Sequence, residues 1–427
     1  MPLQKNNINQ LVDHLYRHES GKLIAVLTSV LGAANLDLVE DVVQDSLIEA
    51  MKTWPYNGVP RDPSAWLYKV AKNKALNILR KEKYKHQYSS QVLYLPHDST
   101  TDNSFPDDLI SGQLADDQLR MIFTCCHPLL SKDSQVALTL KTLCGFSIPE
   151  IARAFFTTED TINKRLVRAR QKIREANIPF EVPGTKEMEE RLEAVLETIY
   201  LVFNEGYSAS SGDEVIRHDL CEEAIRLAEM ISSYPGIQNK SNVYAVLSLM
   251  LLNASRFRSR IGEEGNILTL AEQDRSLWSQ QLIEKGFSHL ERATEGNILS
   301  TYHLMAAISA CHCAAPEFAV TDWKLILGMY DRLLLLDPSP VVRLNRCIPL
   351  AKLEGPQKGV EELQMIRNDP SFDSYHLLFA TEAEFYLQLK QFEKAAASLE
   401  LAIEHSPLKA EKMLLQKKLE QSLAKIS

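Results

Sequence analysis

The chain has 427 residues, a formal net charge of −9, 45% hydrophobic residues and 24% charged residues. These values exclude an intrinsically disordered protein and a single hydrophobic core, and they predict a globular protein of two to four domains. The N-terminus contains no stretch typical of a signal peptide. The longest apolar run, Val243 to Leu252, has about half of the ~20 residues that a membrane span requires. We therefore expect a cytoplasmic protein that does not enter a membrane.

Charge is distributed unevenly along the chain. Residues 1–185 carry 22 Lys and Arg against 21 Asp and Glu, whereas residues 186–427 carry 25 against 35. Residues 61–85 hold eight basic and two acidic residues, and residues 161–174 hold six basic residues and no acidic one. Residues 98–117, between these blocks, hold six Asp and no basic residue. Two basic blocks with an acidic segment between them indicate nucleic-acid contacts by the N-terminal half.

The first predicted domain, residues 8–86, is helical. Apolar residues recur at three- and four-residue steps between Leu38 and Ala50, which predicts an amphipathic helix. The Pro-containing segment Trp54–Pro63 is expected to be a loop, and Ser64 is expected to begin the next helix. That helix combines three kinds of side chain that can contact nucleic acid. Basic side chains suit phosphates, amides suit the edges of nucleobases, and aromatic rings can stack on unpaired nucleobases. Trp66 fits a core position equally well.

Residues 87–115 are polar, show little periodicity and are predicted to be a flexible linker. Helical periodicity resumes in a second predicted domain, residues 116–183. There Ser147 and Pro149 begin a short helix, and Thr157-Thr158 ends it and can cap the next one. The next helix has an apolar stripe with basic residues beside it; the stripe is formed by Ile162, Leu166, Ala169 and Ile173. This helix-turn-helix pattern predicts a second helix in the DNA major groove, and a merely solvated basic helix is the alternative.

Residues 187–427 read as one helix after another. Leu220 to Ile231 forms one apolar face, and residues near the C-terminus have the spacing of a tetratricopeptide repeat, namely Phe379, Ala383, Tyr386, Ala395, Leu399, Ala402 and Pro407. Glu382 stands where that repeat usually has Leu. Because one repeat cannot bury its own face, we expect a degenerate neighbour at Asp331 to Ile366.

Two clusters among the seven cysteines, Cys125-Cys126-His127 and Cys311-His312-Cys313, fit poorly with the Cys-x-x-Cys spacing of zinc sites. Cysteine packs as a small apolar residue, so both clusters are interpreted as parts of buried helices. Neither a metal nor a cofactor is expected.

Several segments resemble sigma factors of the extracytoplasmic-function type, a branch of the sigma-70 family. Asp41–Leu47 is similar to region 2.2, Trp66–Asn73 with Arg80-Lys81 is similar to region 2.3/2.4, and Thr161–Arg170 is similar to the region 4.2 recognition helix. A narrower resemblance, to a subgroup with a tetratricopeptide-like extension, rests on Asp117–Pro128, Ile199–Tyr207 and Pro340–Arg346. The turn of that subgroup lacks the usual Gly, as it does here at Phe156.

The resemblance implies an all-α fold and a non-catalytic subunit whose partners are core RNA polymerase and promoter DNA. Implied contacts with the −35 element are Thr161, Lys164, Arg165, Arg168, Arg170 and Lys172. Implied contacts with the melted −10 element are Trp54, Tyr56, Trp66, Lys69, Lys72, Asn73, Asn77, Arg80 and Lys81. Implied contacts with core polymerase are Asp41, Gln44, Asp45 and Leu47.

Two further roles follow from the resemblance and leave alternatives open. The acidic linker is expected to run through the polymerase cleft, or else only to solubilise the chain. The extension 187–427 is expected to be regulatory, acting on the chain itself or on a protein partner, or else only to stabilise the fold.

Competing interpretations explain less of the sequence. An operator-binding helix-turn-helix dimer leaves residues 37–85 unexplained, and a tetratricopeptide scaffold leaves the basic stripes unexplained. An enzyme is least supported, because no Gly-rich phosphate loop, zinc helix motif or nucleophile constellation is found.

Overall fold

The computed structural model describes residues 2–87, 107–155, 157–207, 216–262, 265–296, 298–368, 372–373 and 375–426. The chain divides into an N-terminal unit, Met1–Arg153 with Thr157–Thr198, and a C-terminal unit, Ala154–Phe156 with Ile199–Ser427. Within these described ranges all regular elements are helical, and Ile261 and Ile267 form an isolated bridge. The predicted all-α fold is confirmed.

The N-terminal unit is built from the first helices of the chain. They are α1 (Pro2–Leu31), α2 (Leu36–Asn57), α3 (Pro63–Gln87), α4 (Asp107–Cys125), α5 (Lys132–Thr142), α6 (Ile148–Ala154), α7 (Glu159–Glu175) and the start of α8 (Thr185–Tyr207).

Helix α1 lies at the centre of this unit. It packs against α2 and α3, and also against α4 and α5. The fully buried side chains of this unit include Leu23 and Leu67, which precede residues 88–106 in the chain, and Phe123, which follows them. At the edge of the contact, the Ser29 hydroxyl donates to the buried Asp117 carboxylate at 3.2 Å. The two segments predicted as separate domains therefore share one compact unit.

Two predicted boundaries were wrong. Helix α2 continues through Pro55 to Asn57, so the expected loop is limited to residues 58–62. Pro55 has no N–H to donate to the carbonyl four residues earlier, but α2 continues for only two residues beyond it, and Gly58, at φ +80°, ends the helix. Helix α4 begins at Asp107 rather than near 116, because acidic residues are favourable at a helix N-terminus. The rest of the predicted linker, residues 88–106, lies outside the described residues.

The C-terminal unit continues with helices that mostly pack on their sequence neighbours. They are α9 (His218–Ser233), α10 (Ser241–Ala254), α11 (Gln280–Ala293), α12 (Thr301–Ala314), α13 (Trp323–Leu336), α14 (Pro340–Glu354), α15 (Pro356–Ile366), α16 (His376–Gln388), α17 (Phe392–His405) and α18 (Lys409–Leu423).

The apolar positions expected in these helices are largely buried. Leu220, Ala224 and Ile231 are fully buried on α9, and Phe379, Ala383 and Leu399 belong to one core cluster formed by α14–α18. The apolar run of α10 is buried inside the unit. Among the described helices, none has the length and hydropathy to cross a membrane.

Glu382 replaces the expected Leu without leaving an unpaired charge. Its side chain is almost completely buried, with Arg367 at 3.0 Å from Oε1, and the Ser398 hydroxyl donates to Oε2 at 2.9 Å. A buried carboxylate is tolerated when it is paired and hydrogen-bonded. The departure from the repeat pattern is therefore compensated locally.

The cysteine clusters lie on helices or at their ends. Cys125 and Cys126 are fully buried, and Cys125 Sγ lies 3.1 Å from Thr142 Oγ1. Burial raises the pKa of the Cys126 thiol to about 11, so the thiol stays protonated. Cys311 and Cys313 on α12 are half-buried.

Candidate nucleic-acid and polymerase interfaces

Helices α6 and α7 form the predicted helix-turn-helix, and each begins at a side-chain cap. At α6, Ser147 N donates to Glu150 Oε2 at 2.7 Å, and Glu150 N donates to Ser147 Oγ at 3.4 Å. This reciprocal pair is a capping box. At α7, Thr158 Oγ1 accepts from Thr161 N at 3.2 Å. The caps predicted from Ser147 and Thr158 are confirmed, and they fix where the two helices start.

Helix α7 has a buried face and an exposed basic face. The four residues of the predicted apolar stripe, Ile162, Leu166, Ala169 and Ile173, are at most 1% exposed. Lys164, Arg168 and Lys172 are exposed, and Thr161 is half-buried at the first turn. Lys164 pairs within the helix with Asp160 at 2.6 Å, and Arg165 pairs with Asp133 of α5 at 2.7 Å. The basic face is therefore presented by a rigidly packed helix.

Arg170 lies on a third face of α7, which contacts α2. Its guanidinium donates to both carboxylate oxygens of Glu40 at 2.6 and 2.7 Å, and it pairs with Asp37 at 3.2 Å. One turn later Arg174 pairs with Asp37 at 2.9 Å and donates to the Ala34 carbonyl oxygen. Arg170 thus joins two helices of the N-terminal unit instead of facing outward with the other basic residues. The helical periodicity of the sequence places Arg170 off the basic face, but it does not identify Glu40 and Asp37 as its partners.

Helix α3 presents a polar stripe to solvent. Lys69, Lys72, Asn73, Asn77 and Arg80 are all exposed and follow each other at helical spacing. The side chain of Lys81 lies outside the described residues. The stripe has the composition that suits the backbone and bases of single-stranded nucleic acid.

The two tryptophans of the predicted −10 contact set are packed together. Trp54 is 2% exposed, and its ring meets half-buried Trp66 edge-on with centroids 5.4 Å apart. Trp54 is therefore a core residue, which corrects its assignment as a DNA contact. Tyr56, at 89% exposed, is the most accessible ring among the predicted −10 contacts.

Helix α2 exposes a mixed acidic and apolar face. Asp41, Gln44 and Asp45 are exposed, and Ile48 and Met51 continue the same face at 45% and 42% exposed. Sequence reasoning missed the last two because they also fit an amphipathic core pattern.

Leu47, the fourth predicted polymerase contact, is 5% exposed. It packs inside the N-terminal unit, because it follows Val43 by one helical turn on the buried side of α2. Its assignment as a polymerase contact is corrected accordingly.

Comparison with known proteins adds the following. Residues 15–84 match the family model Sigma-70 region 2, and residues 120–173 match Sigma-70, region 4. Residues 191–294 match a family of unknown function, DUF6596. An uncharacterized protein of Rhizobium meliloti (strain 1021) is 38% identical over 327 residues, which are 76% of each chain. No solved structure matches.

Proposed function

Because the chain belongs to the sigma-70 family of RNA polymerase specificity subunits, we propose that it is an extracytoplasmic-function sigma factor with three separate contact surfaces. The α7 surface consists of Thr161, Lys164, Arg165, Arg168 and Lys172. The α3 surface consists of Tyr56, Trp66, Lys69, Lys72, Asn73, Asn77, Arg80 and Lys81. The α2 surface consists of Asp41, Gln44, Asp45, Ile48 and Met51.

The α7 surface binds the −35 element in the major groove. The observation that carries this assignment is the division of α7 into a fully buried stripe and a basic face whose helix start is fixed by Thr158. A positioned helix can place Arg side chains on guanine edges and Lys side chains on phosphates. Arg170 is left out of the surface because its side chain is only 12% exposed and is held by Glu40 and Asp37, whereas the side chains of Lys164 and Arg165 are 64% and 29% exposed.

The α3 surface binds the melted −10 element. Taking a base out of the stack costs a few kcal/mol, and stacking on an aromatic ring offsets about 1–3 kcal/mol per base. Tyr56 is the ring most able to stack, because it is exposed and stands at the end of α2 near the start of α3. Asn73 and Asn77 lie one turn apart and can reach base edges, while Lys69 and Arg80 can contact phosphates.

The α2 surface binds core polymerase. An exposed patch that combines apolar side chains with a charged margin is typical of a protein interface. Ile48 and Met51 supply the apolar part, and Asp41 and Asp45 supply the charge.

The extension, residues 187–427, is a tetratricopeptide-like domain that regulates the segments matching sigma-70 regions 2 and 4. Sequential packing of α10 to α18 and the buried repeat positions of α16 and α17 support the repeat assignment. The excess of ten acidic charges in residues 186–427 (25 basic against 35 acidic) supports an interaction with basic surfaces.

Charge reversal on the α7 surface tests the −35 assignment. In the Arg165→Glu, Arg168→Glu double variant, each lost phosphate or base contact should weaken promoter binding by about 1–3 kcal/mol. We expect run-off transcription to fall at least about tenfold while core polymerase binding is unchanged. Lys409→Glu combined with Lys417→Glu, at two exposed positions of α18, is the charge-matched control. Wild-type transcription by the double variant would refute the assignment.

A further inference from the structure

Three arginines of the C-terminal unit alternate with two aromatic rings. The Arg260 guanidinium lies 3.8 Å from the Tyr207 ring centroid, and Arg256 lies 5.8 Å from the same ring. Arg256 is also 5.9 Å from the Trp278 ring, which Arg275 approaches to 4.5 Å. These five residues, together with His312, are called the arginine cluster below. They come from the end of α8, from the segments after α10 and from α12, so the fold brings them together.

No carboxylate of the described residues is paired directly with these arginines. Among the residues that the structure describes, no Asp or Glu forms an ion pair with Arg256, Arg260 or Arg275. Arg256 is 8% exposed, and burying a cation without a counter-charge is costly. Burial lowers the pKa of Arg260 and of Arg275, and the charge of Arg256 lowers each pKa further, while the more distant carboxylate of Glu411 partly offsets this for Arg260. The cluster is therefore a site of positive charge that has no paired carboxylate among the described residues.

The hydrogen bonds that the arginines make go to neutral acceptors. Arg256 donates to the Tyr207 hydroxyl at 2.6 Å and to Asn253, and Arg260 donates to the Tyr207 carbonyl oxygen. Arg275 donates to the carbonyl oxygens of Ala315, at 2.6 Å, and His312. Such bonds orient the guanidinium groups but contribute no negative charge.

Four buried nitrogens of the cluster have no hydrogen-bond partner within the described part of the chain. They are Nε of Arg256, Nη2 of Arg275, Nε1 of Trp278 and Nδ1 of His312. Native proteins leave few buried polar atoms unpaired, because an unpaired buried donor loses its hydrogen bonds to water without a replacement. Three of the four are obligatory donors, and all belong to residues in contact with one another. Among the residues that the structure describes, the cluster lacks an acceptor that combines several lone pairs with a negative charge.

We propose that the arginine cluster binds a small oxyanion of the phosphate class, either inorganic phosphate or the phosphate group of a small metabolite. A guanidinium fork matches the oxygens of phosphate and of carboxylate. Phosphate is the better match because it carries up to two charges and more acceptor oxygens, whereas a carboxylate offers one charge to three cations. The proposal is independent of the sigma function, because no residue of the α2, α3 or α7 surfaces takes part.

Calorimetric titration of the full chain with inorganic phosphate, at constant ionic strength in chloride, tests this site. We expect saturable binding of one phosphate per chain, with Kd below about 1 mM. Arg275→Lys keeps the charge but loses the fork, so binding should weaken about tenfold or more. Arg258→Lys, at an exposed position of the same basic segment, should bind like the wild type.

A second measurement on the wild-type chain covers the case in which Arg275→Lys does not fold. The pKa of His312 lies at about 4 because of burial and the charges of Arg256 and Arg275. A bound anion should raise this pKa, which proton NMR can follow in phosphate and in chloride.

Absence of saturable phosphate binding would overturn the proposal. Equal weakening by Arg258→Lys would refute the location of the site. Acetate that binds as tightly as phosphate would refute the phosphate class, and glycerol phosphate that binds more tightly than inorganic phosphate would identify a metabolite as the source.

Discussion

The burial and pairing of single side chains determine which of the predicted contact residues are accessible to a partner. Arg170 and Arg168 are two positions apart on α7, yet Arg170 is paired with Glu40 and Arg168 is exposed. Leu47 and Ile48 are adjacent on α2, yet Leu47 is buried and Ile48 is exposed. Helical periodicity predicts that such neighbours face different directions. It cannot tell which direction meets another helix, because that depends on residues distant in sequence.

His312 gives a prediction at this scale. Its pKa is lowered from 6.5 to about 4, first by burial and then by Arg256 and Arg275. A histidine with a lowered folded-state pKa stabilises the fold above pH 6.5 and loses that contribution as the pH falls towards 4. The interval corresponds to about 3 kcal/mol at 1.36 kcal/mol per pKa unit.

His312→Gln should therefore reduce the loss of stability between pH 7 and pH 4 by up to about 3 kcal/mol. Calorimetric unfolding in chloride buffer measures it, since calorimetry separates the transitions of a multi-unit chain. Identical pH profiles for the variant and the wild type would contradict the assigned pKa.

Helices α2 and α7, which belong to the regions before and after residues 88–106, are joined by ion pairs. Arg170 and Glu40 form a largely buried pair in which one guanidinium nitrogen contacts both carboxylate oxygens, and Arg174 adds a more exposed pair with Asp37. An exposed pair contributes little, whereas removing one partner of a buried pair leaves the other charge uncompensated.

Arg170→Ala should accordingly lower the local stability of α2 and α7 by about 3 kcal/mol. Hydrogen exchange followed by mass spectrometry should show a roughly 100-fold faster exchange of the amides in both helices. Arg168→Ala is the matched control, because Arg168 has no ion-pair partner among the described residues. Unchanged protection in Arg170→Ala would mean that the pair does not hold the helices together.

The residues at which helices begin and end were predicted less well than the faces that the helices bury. The α7 stripe and both caps follow from residue types within one helix and were correct. The end of α2 was missed because Pro55 was interpreted as a helix breaker, although the helix continues through it to Asn57. The start of α4 was missed because the acidic composition of residues 98–117 was interpreted as a linker signal.

At the scale of the whole molecule, the sequence predicts the all-α fold class and the family. It does not predict how the helices of each unit pack together. The central position of α1 rests on contacts with α4 and α5, more than 70 residues away in the chain, and no local pattern encodes such contacts. The arginine cluster was likewise not predicted, because its residues are spread from Tyr207 to His312.

Co-elution of the full-length chain with sigma-free core RNA polymerase tests the central claim most directly. We predict a stoichiometric complex for the wild type and for Glu400→Lys, which reverses an exposed charge on α17. Asp41→Lys with Asp45→Lys places two positive charges beside Ile48 on the α2 surface, and it should weaken the complex at least about tenfold through like-charge repulsion and lost contacts. Failure of the wild-type chain to bind core polymerase would contradict the account, and equal binding by the double variant would remove α2 from the interface.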